Sequence, residues 1–199
     1  QTGQVLFQRD RIHTADAQGT AVTAYSGTQT ITTDSTAPSN FRLRETGRGN
    51  GIQTWDLNNG TNYGNAVDFT DTDNNWNNVN ANLDQYATDA PCGAGMTYDF
   101  LWNSFNRNSI DGNGFTLRSY VHYQNNYVNA FWDGQRMTYG DGNGGSFTPL
   151  TALDVAGHEI AHGLTNFTAN LVYQNESGAL NESFSDIFGN AIENMARPT

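Results

Sequence analysis

A chain of 199 residues with 36% hydrophobic and 12% aromatic side chains is long enough to bury a core and fits one domain, at most two. Its nine basic residues are all arginine and its twenty acidic residues leave a formal charge of −11, which argues against nucleic acid or an anionic membrane as partner, because phosphate contacts need clustered positive charge. The one cysteine, Cys92, excludes an intrachain disulfide, and no apolar run approaches the ~18 residues of a membrane-spanning helix.

Taken in chain order, Gln1-Thr2-Gly3-Gln4-Val5-Leu6-Phe7 reads as an N-terminal edge strand, and His13 as exposed and uninvolved. Polar and apolar residues then alternate through Thr20-Ala21-Val22-Thr23-Ala24-Tyr25-Ser26-Gly27 and Gln29-Thr30-Ile31-Thr32-Thr33, which predicts strands with one face toward a core. Gly47-Arg48-Gly49-Asn50-Gly51 and Asn58-Asn59-Gly60 predict the turns between them. In Asp71-Thr72-Asp73-Asn74-Asn75, alternate side chains offer oxygens to a hard cation, and a solvated turn explains the same residues. Across positions 81–106 the period becomes helical. Tyr98, Leu101, Trp102 and Phe105 predict a stripe packed on the core, with Cys92 a small buried thiol. A strand from Phe115 to Tyr123 follows, in which His122 has no ligand partner and reads as structural; Asp141-Gly142-Asn143-Gly144-Gly145 reads as a plain turn. The fold class expected is α+β, a lobe of antiparallel strands closed by a helix.

That helix carries His158-Glu159-Ile160-Ala161-His162. Two histidines four apart on a helix lie on one face about a turn apart, where both imidazoles can grip one ion. Glu159 stands beside them, placed to take a proton from a metal-bound water. From the composition of this chain, the pattern arises by chance with probability of about 0.002. Glu182 follows His158 by 24 residues within Asn181-Glu182-Ser183-Phe184-Ser185-Asp186, and Asp186 lies one turn further along the same predicted helix. This spacing makes Glu182 the third ligand and Asp186 an orienting partner of a ligand. Two imidazoles and one carboxylate leave the fourth tetrahedral position of a zinc ion open, as a catalytic site requires.

Asp154-Val155-Ala156-Gly157-His158-Glu159-Ile160-Ala161-His162-Gly163 and Leu171-Val172-Tyr173-Gln174-Asn175-Glu176-Ser177-Gly178-Ala179-Leu180-Asn181-Glu182 resemble the thermolysin family of secreted zinc metalloendopeptidases. Asn129-Ala130-Phe131-Trp132 and Met137-Thr138-Tyr139-Gly140-Asp141-Gly142 match the same family, so the resemblance runs in order from Val121 to Glu193. Thermolysin is itself a standard example of a His₂Glu zinc site. The resemblance implies an extracellular zinc enzyme of zincin type, made as a zymogen, that cleaves peptide or protein substrates before bulky apolar residues. It implies that Tyr173 faces the developing oxyanion, that Asn129 and the Ala130 backbone grip the substrate main chain with Trp132 lining the groove, and that Phe147, Leu150 and Val155 wall the apolar pocket. It further implies calcium held with the help of Asp154 and Glu193, and a further calcium at Asp71, Asp73 and Asn75.

Other implications concern organisation. Residues 1–18 resemble the end of the family's propeptide, the alternative to an edge strand, and residues 19–199 resemble the N-terminal catalytic domain. The family's C-terminal helical domain, which supplies a further catalytic histidine and an arginine, is expected to be absent, since no histidine follows His162 and Arg197-Pro198-Thr199 reads as a cut in a helix still in progress. The chain's own C-terminal domain or propeptide, as a separate chain, is then a candidate partner. A non-catalytic metal-binding or interaction domain remains the alternative reading.

Overall fold

The computed structural model describes residues 15–80 and 83–197, so the readings of Gln1–Phe7, His13 and the last two positions fall outside it. The alternating N-terminal half forms strands β1 (Ala15–Val22), β2 (Thr28–Ala37), β3 (Asn40–Arg42), β4 (Arg44–Glu45), β5 (Ile52–Asp56), β6 (Val67–Asp68), β7 (Thr70–Asp71) and β8 (Asn75–Trp76). Helices α1 (Asp84–Ala87) and α2 (Asp89–Phe105) follow, then β9 (Leu117–Val121), β10 (Ala130–Trp132), β11 (Met137–Tyr139), α3 (Leu153–Asn166) and α4 (Asn175–Ala196).

Sheet and helix mix as an α+β fold, but the strands are not all antiparallel. One sheet runs β7-β3-β2-β1-β8 and the other β10-β11-β9-β5-β4, with β6 also on β5. Pairs β1·β8, β5·β9 and β9·β11 are parallel. Parallel neighbours need long crossovers, and α2 lies in the connection between β5 and β9, with Ile52 opposite Leu117. At Gly19 in β1 any Cβ would stand 2.3 Å from Asn74 Oδ1. Only glycine lets buried Asn74 come so close, where its Oδ1 accepts from Thr33 Oγ1 (2.9 Å) and Trp76 Nε1 (3.0 Å). The strand expected to Tyr123 ends at Val121, because His122 turns to φ +56°.

The aromatic stripe of α2 is corrected. Leu101 is buried, whereas Trp102 is 47% and Phe105 58% exposed, and Tyr98 is half-buried, stacked on Trp102. Leu101 shares the inward face with Ala90, Gly93, Ala94 and Thr97. Gly93 is required there because α3 passes so close that a Cβ on it would lie 2.5 Å from the Ala156 Cβ. Cys92 is buried as expected, and that burial, helped by Asp89, pushes its thiol up to about 12 and keeps it protonated.

Helix α3 turns Ala156, Ile160 and Leu164 into the core, the 3.6-residue repeat its sequence carries. Its other side meets α4 through two glycines. A Cβ on Gly157 would lie 3.1 Å from the Gly189 Cα, and one on Gly189 would lie 2.6 Å from the Asp154 carbonyl oxygen. This close crossing brings the middle of α4 up to the histidines of α3.

Candidate metal centre

The Nε2 atoms of His158 and His162 lie 3.1 Å apart. Glu182, from α4, places Oε2 3.1 Å from the first and 3.7 Å from the second. Each remaining ring nitrogen is held from α4. The Nδ1 of His158 meets Asp186 Oδ1 at 2.9 Å; that of His162 meets Asn181 Oδ1 at 2.8 Å and Ser185 Oγ at 3.1 Å. Asn181 Nδ2 donates to the Leu171 carbonyl, which leaves its Oδ1 as the acceptor. Both Nδ1 atoms therefore carry a proton, and in the neutral rings both Nε2 atoms are bare, an assignment made from these partners. Three lone pairs then face one another with no donor between them, an arrangement that repels itself unless a cation stands in the centre. Their separations bracket the ~3.4 Å edge of a tetrahedron with ~2.1 Å bonds, so the donors fit zinc in number, type and spacing. Among the described residues, His158, His162 and Glu182 are the one group of three or more such side chains close enough to hold a metal.

Glu159 is 7% exposed. Burial pushes its carboxyl up to about 7, with a further push from the Glu182 carboxylate, against the pull of His158 and of the Trp132 backbone N–H that donates to it. Together with His158 it borders two cavities, of about 600 and about 280 Å³. Asn129 and Ala130 line both, on or beside β10, which among the described residues is an edge strand with one side unpaired. Trp132 lines the larger cavity, its ring packed on Gly163 and its Nε1 donating to Asn166 Oδ1 at 2.8 Å. Tyr173 lines it too, 66% exposed, its ring against His162 and its hydroxyl bonded to Glu182.

Leu150 and Val155 line the smaller cavity, while Phe147, expected with them, does not. It is 51% exposed on a loop whose Asn143 Oδ1 accepts the Phe147 and Gly145 N–H groups. Asp154 reaches the smaller cavity, whereas Glu193 pairs with Arg197 at 3.0 Å, and among the described residues neither joins a group of three donors. In the Asp71–Asn75 segment, Asp71 Oδ1 accepts from Asp73 N and Asp73 Oδ1 from Asn75 N, the bonds of successive turns. His122 is buried with Nδ1 2.9 Å from Asp141, a partner that sequence reading missed. It also missed Asn181 and Ser185, whose i, i+4 spacing on the Glu182 helix was the available signal.

The thermolysin metallopeptidase catalytic-domain model matches residues 18–166, and the thermolysin metallopeptidase alpha-helical-domain model matches residues 169–199. Bacillolysin of Brevibacillus brevis is 52% identical over 157 residues, 78% of this chain and 28% of its own length. The transglutaminase-activating metalloprotease of Streptomyces mobaraensis is 45% identical over 195 residues, 96% of this chain and 24% of its own. Among solved structures, the precursor of protealysin, a metalloproteinase from Serratia proteamaculans, is 41% identical with a TM-score of 0.62, over 72% of this chain and 43% of that one. A mixed sheet backed by helices, with a metal-competent trio on two of them, defines the class as metallopeptidase-like. Matched across residues 18–166, the chain belongs to the thermolysin metallopeptidase family. It spans about a quarter of the length of the curated relatives it matches.

The expected absence of the helical domain is not confirmed, since residues 169–199, with α4 and its Glu182, match that domain's model. The donor trio thus joins residues from both matched regions. No helix among the described residues is long and apolar enough to cross a membrane.

Proposed function

We propose that this chain is the zinc-binding part of a secreted endopeptidase that cuts on the amino side of bulky apolar residues. His158, His162 and Glu182 would hold the zinc, with Asp186, Asn181 and Ser185 fixing the two rings. The observation that carries the reading is the convergence of three bare donor atoms beside one buried carboxylate. Bound zinc supplies Lewis acidity and lowers the pKa of a coordinated water toward ~7.

The chain's own residues do the rest. Glu159 acts as general base and then passes the proton to the leaving nitrogen. Its burial raises its basicity, and a divalent cation nearby would pull the other way. The free side of β10 takes the substrate backbone as an added strand at Asn129 and Ala130. The cavity at Leu150 and Val155 takes the apolar side chain, and the Tyr173 hydroxyl donates to the oxyanion once it leaves Glu182. The family resemblance extends the proposal to calcium near Asp154 and Glu193 and at the Asp71–Asn75 turn, and to a propeptide as partner.

The second reading, a metal-binding or interaction domain without activity, is favoured by the apolar face that α4 exposes at Leu180, Phe184 and Ile187. One experiment separates the two: hydrolysis of a peptide with leucine after the scissile bond, with zinc quantified in the same sample. Chelator-sensitive cleavage that disappears in Glu159→Gln supports the peptidase. Stoichiometric zinc without cleavage supports the second reading.

A further inference from the structure

The turn between β1 and β2, residues Thr23 to Gly27, lies far in sequence from the metal centre, and none of the roles assigned above uses it. It is closed on itself by Thr23 N and Oγ1, both donating to the Gly27 carbonyl at 3.0 and 2.8 Å, and by Ser26 N donating to Thr23 Oγ1 at 2.9 Å. The Asp89 carboxylate, buried at the start of α2, fastens it by accepting the N–H groups of Ala24 at 2.8 Å and Tyr25 at 3.3 Å. Arg197, past the end of α4, donates to the Tyr25 carbonyl and to Ser26 Oγ. A turn fixed from two helices is a rigid mount for the one large side chain it carries.

That side chain, Tyr25, lies against the Tyr86 ring, with centroids 5.3 Å apart, and its hydroxyl donates to the Pro149 carbonyl at 2.6 Å while Thr148 Oγ1 stands 2.7 Å away. Burial raises the phenol's pKa, so it stays protonated and able to donate. The Pro149 carbonyl and the Leu150 N–H belong to one planar peptide group. Its other end is held as well, since the Leu150 N–H donates to the Gly140 carbonyl at 3.1 Å. Gly140 in turn donates its N–H to the Asn129 carbonyl at 3.0 Å. A chain of hydrogen bonds thus runs from the Tyr25 hydroxyl through both ends of the Pro149–Leu150 peptide to Asn129. Leu150 and Asn129 both line the 280 Å³ cavity beside Glu159.

We propose that Tyr25 is a positioning residue that sets the width of this cavity, and so the enzyme's preference for the side chain following the scissile bond, by clamping the Pro149–Leu150 peptide against Gly140. The inference rests on the peptidase reading for its link to specificity, while the clamp itself rests on geometry alone.

Tyr25→Phe keeps the ring on Tyr86 and removes both hydroxyl contacts; Thr148→Val removes one and leaves the bond to Pro149. On the 199-residue chain we expect the Tyr25→Phe ratio of kcat/KM for leucine over alanine after the scissile bond to fall about five- to tenfold, through KM with kcat and zinc content retained. Thr148→Val should stay close to the parent. Amide exchange, read on the same proteins without any substrate, should quicken about tenfold at Leu150 in Tyr25→Phe and stay unchanged in β9. Loss of cleavage of all peptides by one common factor, or unaltered exchange at Leu150, overturns the proposal. A parent chain that cleaves nothing refutes the specificity role together with the peptidase reading, and the exchange result then decides the clamp by itself.

Discussion

Gly189→Ala tests whether the glycine crossing of α3 and α4 sets the metal centre. The new Cβ would lie 2.6 Å from the Asp154 carbonyl oxygen and 3.3 Å from His158 N, about 0.8 Å short of ordinary van der Waals contact with the oxygen. Both neighbours are backbone of α3, in the helical hydrogen bond from His158 N to the Asp154 carbonyl, so neither can rotate aside. Alanine adds ~0.5–1 kcal/mol of helix propensity, and overpacking costs ~1–3 kcal/mol, which leaves a net destabilisation of up to ~2.5 kcal/mol. For a chain of this size that lowers Tm by up to ~10 °C. Relief requires α4 to back away, and Glu182, two turns earlier on the same face, moves with it. Metal sites tolerate deviations of only ~0.2 Å, so we expect the zinc dissociation constant to rise ~10–100-fold, as when a ligand loses its support. Gly157→Ala is the internal comparison: its Cβ meets the movable Ile192 Cδ1 at 3.0 Å and the Gly189 Cα at 3.1 Å, so its effects are smaller. Chelator competition and thermal melts of the metal-free proteins measure both quantities. A Gly189→Ala protein that holds zinc as tightly as its parent would refute the link between crossing and site.

Asn181→Ala leaves His162 Nδ1 with Ser185 alone, and zinc affinity should fall ~10–100-fold in the same competition assay. Tyr173→Phe should lower kcat by ~10²–10³ with KM and zinc content unchanged; an equal loss in zinc content would reassign Tyr173 to holding Glu182. At His122 burial opposes charge, but the Asp141 hydrogen bond and the carboxylates of Asp141, Asp56 and Asp84 outweigh it and raise the pKa. A raised folded pKa gives stability that is complete below the unfolded value of ~6.5 and lost as pH rises through the folded one. Urea unfolding should therefore show His122→Asn falling furthest below the parent near pH 6 and approaching it by pH 9, and a constant gap would remove charge from the account.

Alternation in the N-terminal half was enough to predict strands, because the side-chain period of two records which face is buried. It carries nothing about strand direction. Ile52 and Leu117 alternate in the same way whether their strands run parallel or not, and only the crossover through α2 decides it. The helical period of Tyr98, Leu101, Trp102 and Phe105 places them on one side of α2 without saying which reach the core: Leu101 does, and α3 passes so close to Gly93 that no Cβ fits there. The family resemblance implies Phe147 in the pocket wall, whereas in this chain it is half exposed on a loop shaped by the bonds of Asn143.

What could be read of the metal centre divides by how many helices a relation involves. His158 with His162 and Glu182 with Asp186 are each four apart on one helix, so helical geometry alone pairs them. The 24-residue step from His158 to Glu182 needed a second assumption, that α3 and α4 cross face to face. The grip of Asn181 and Ser185 on His162 needed the crossing distance too, since the same residues on a helix further away would reach only solvent. Gly157 and Gly189 fix that distance, and a sequence shows them only as two positions with no side chain. In this site the ligands and Asp186 are legible and the supports of His162 are not, because a ligand is chosen for its own chemistry and those supports for the place where the neighbouring helix sets them.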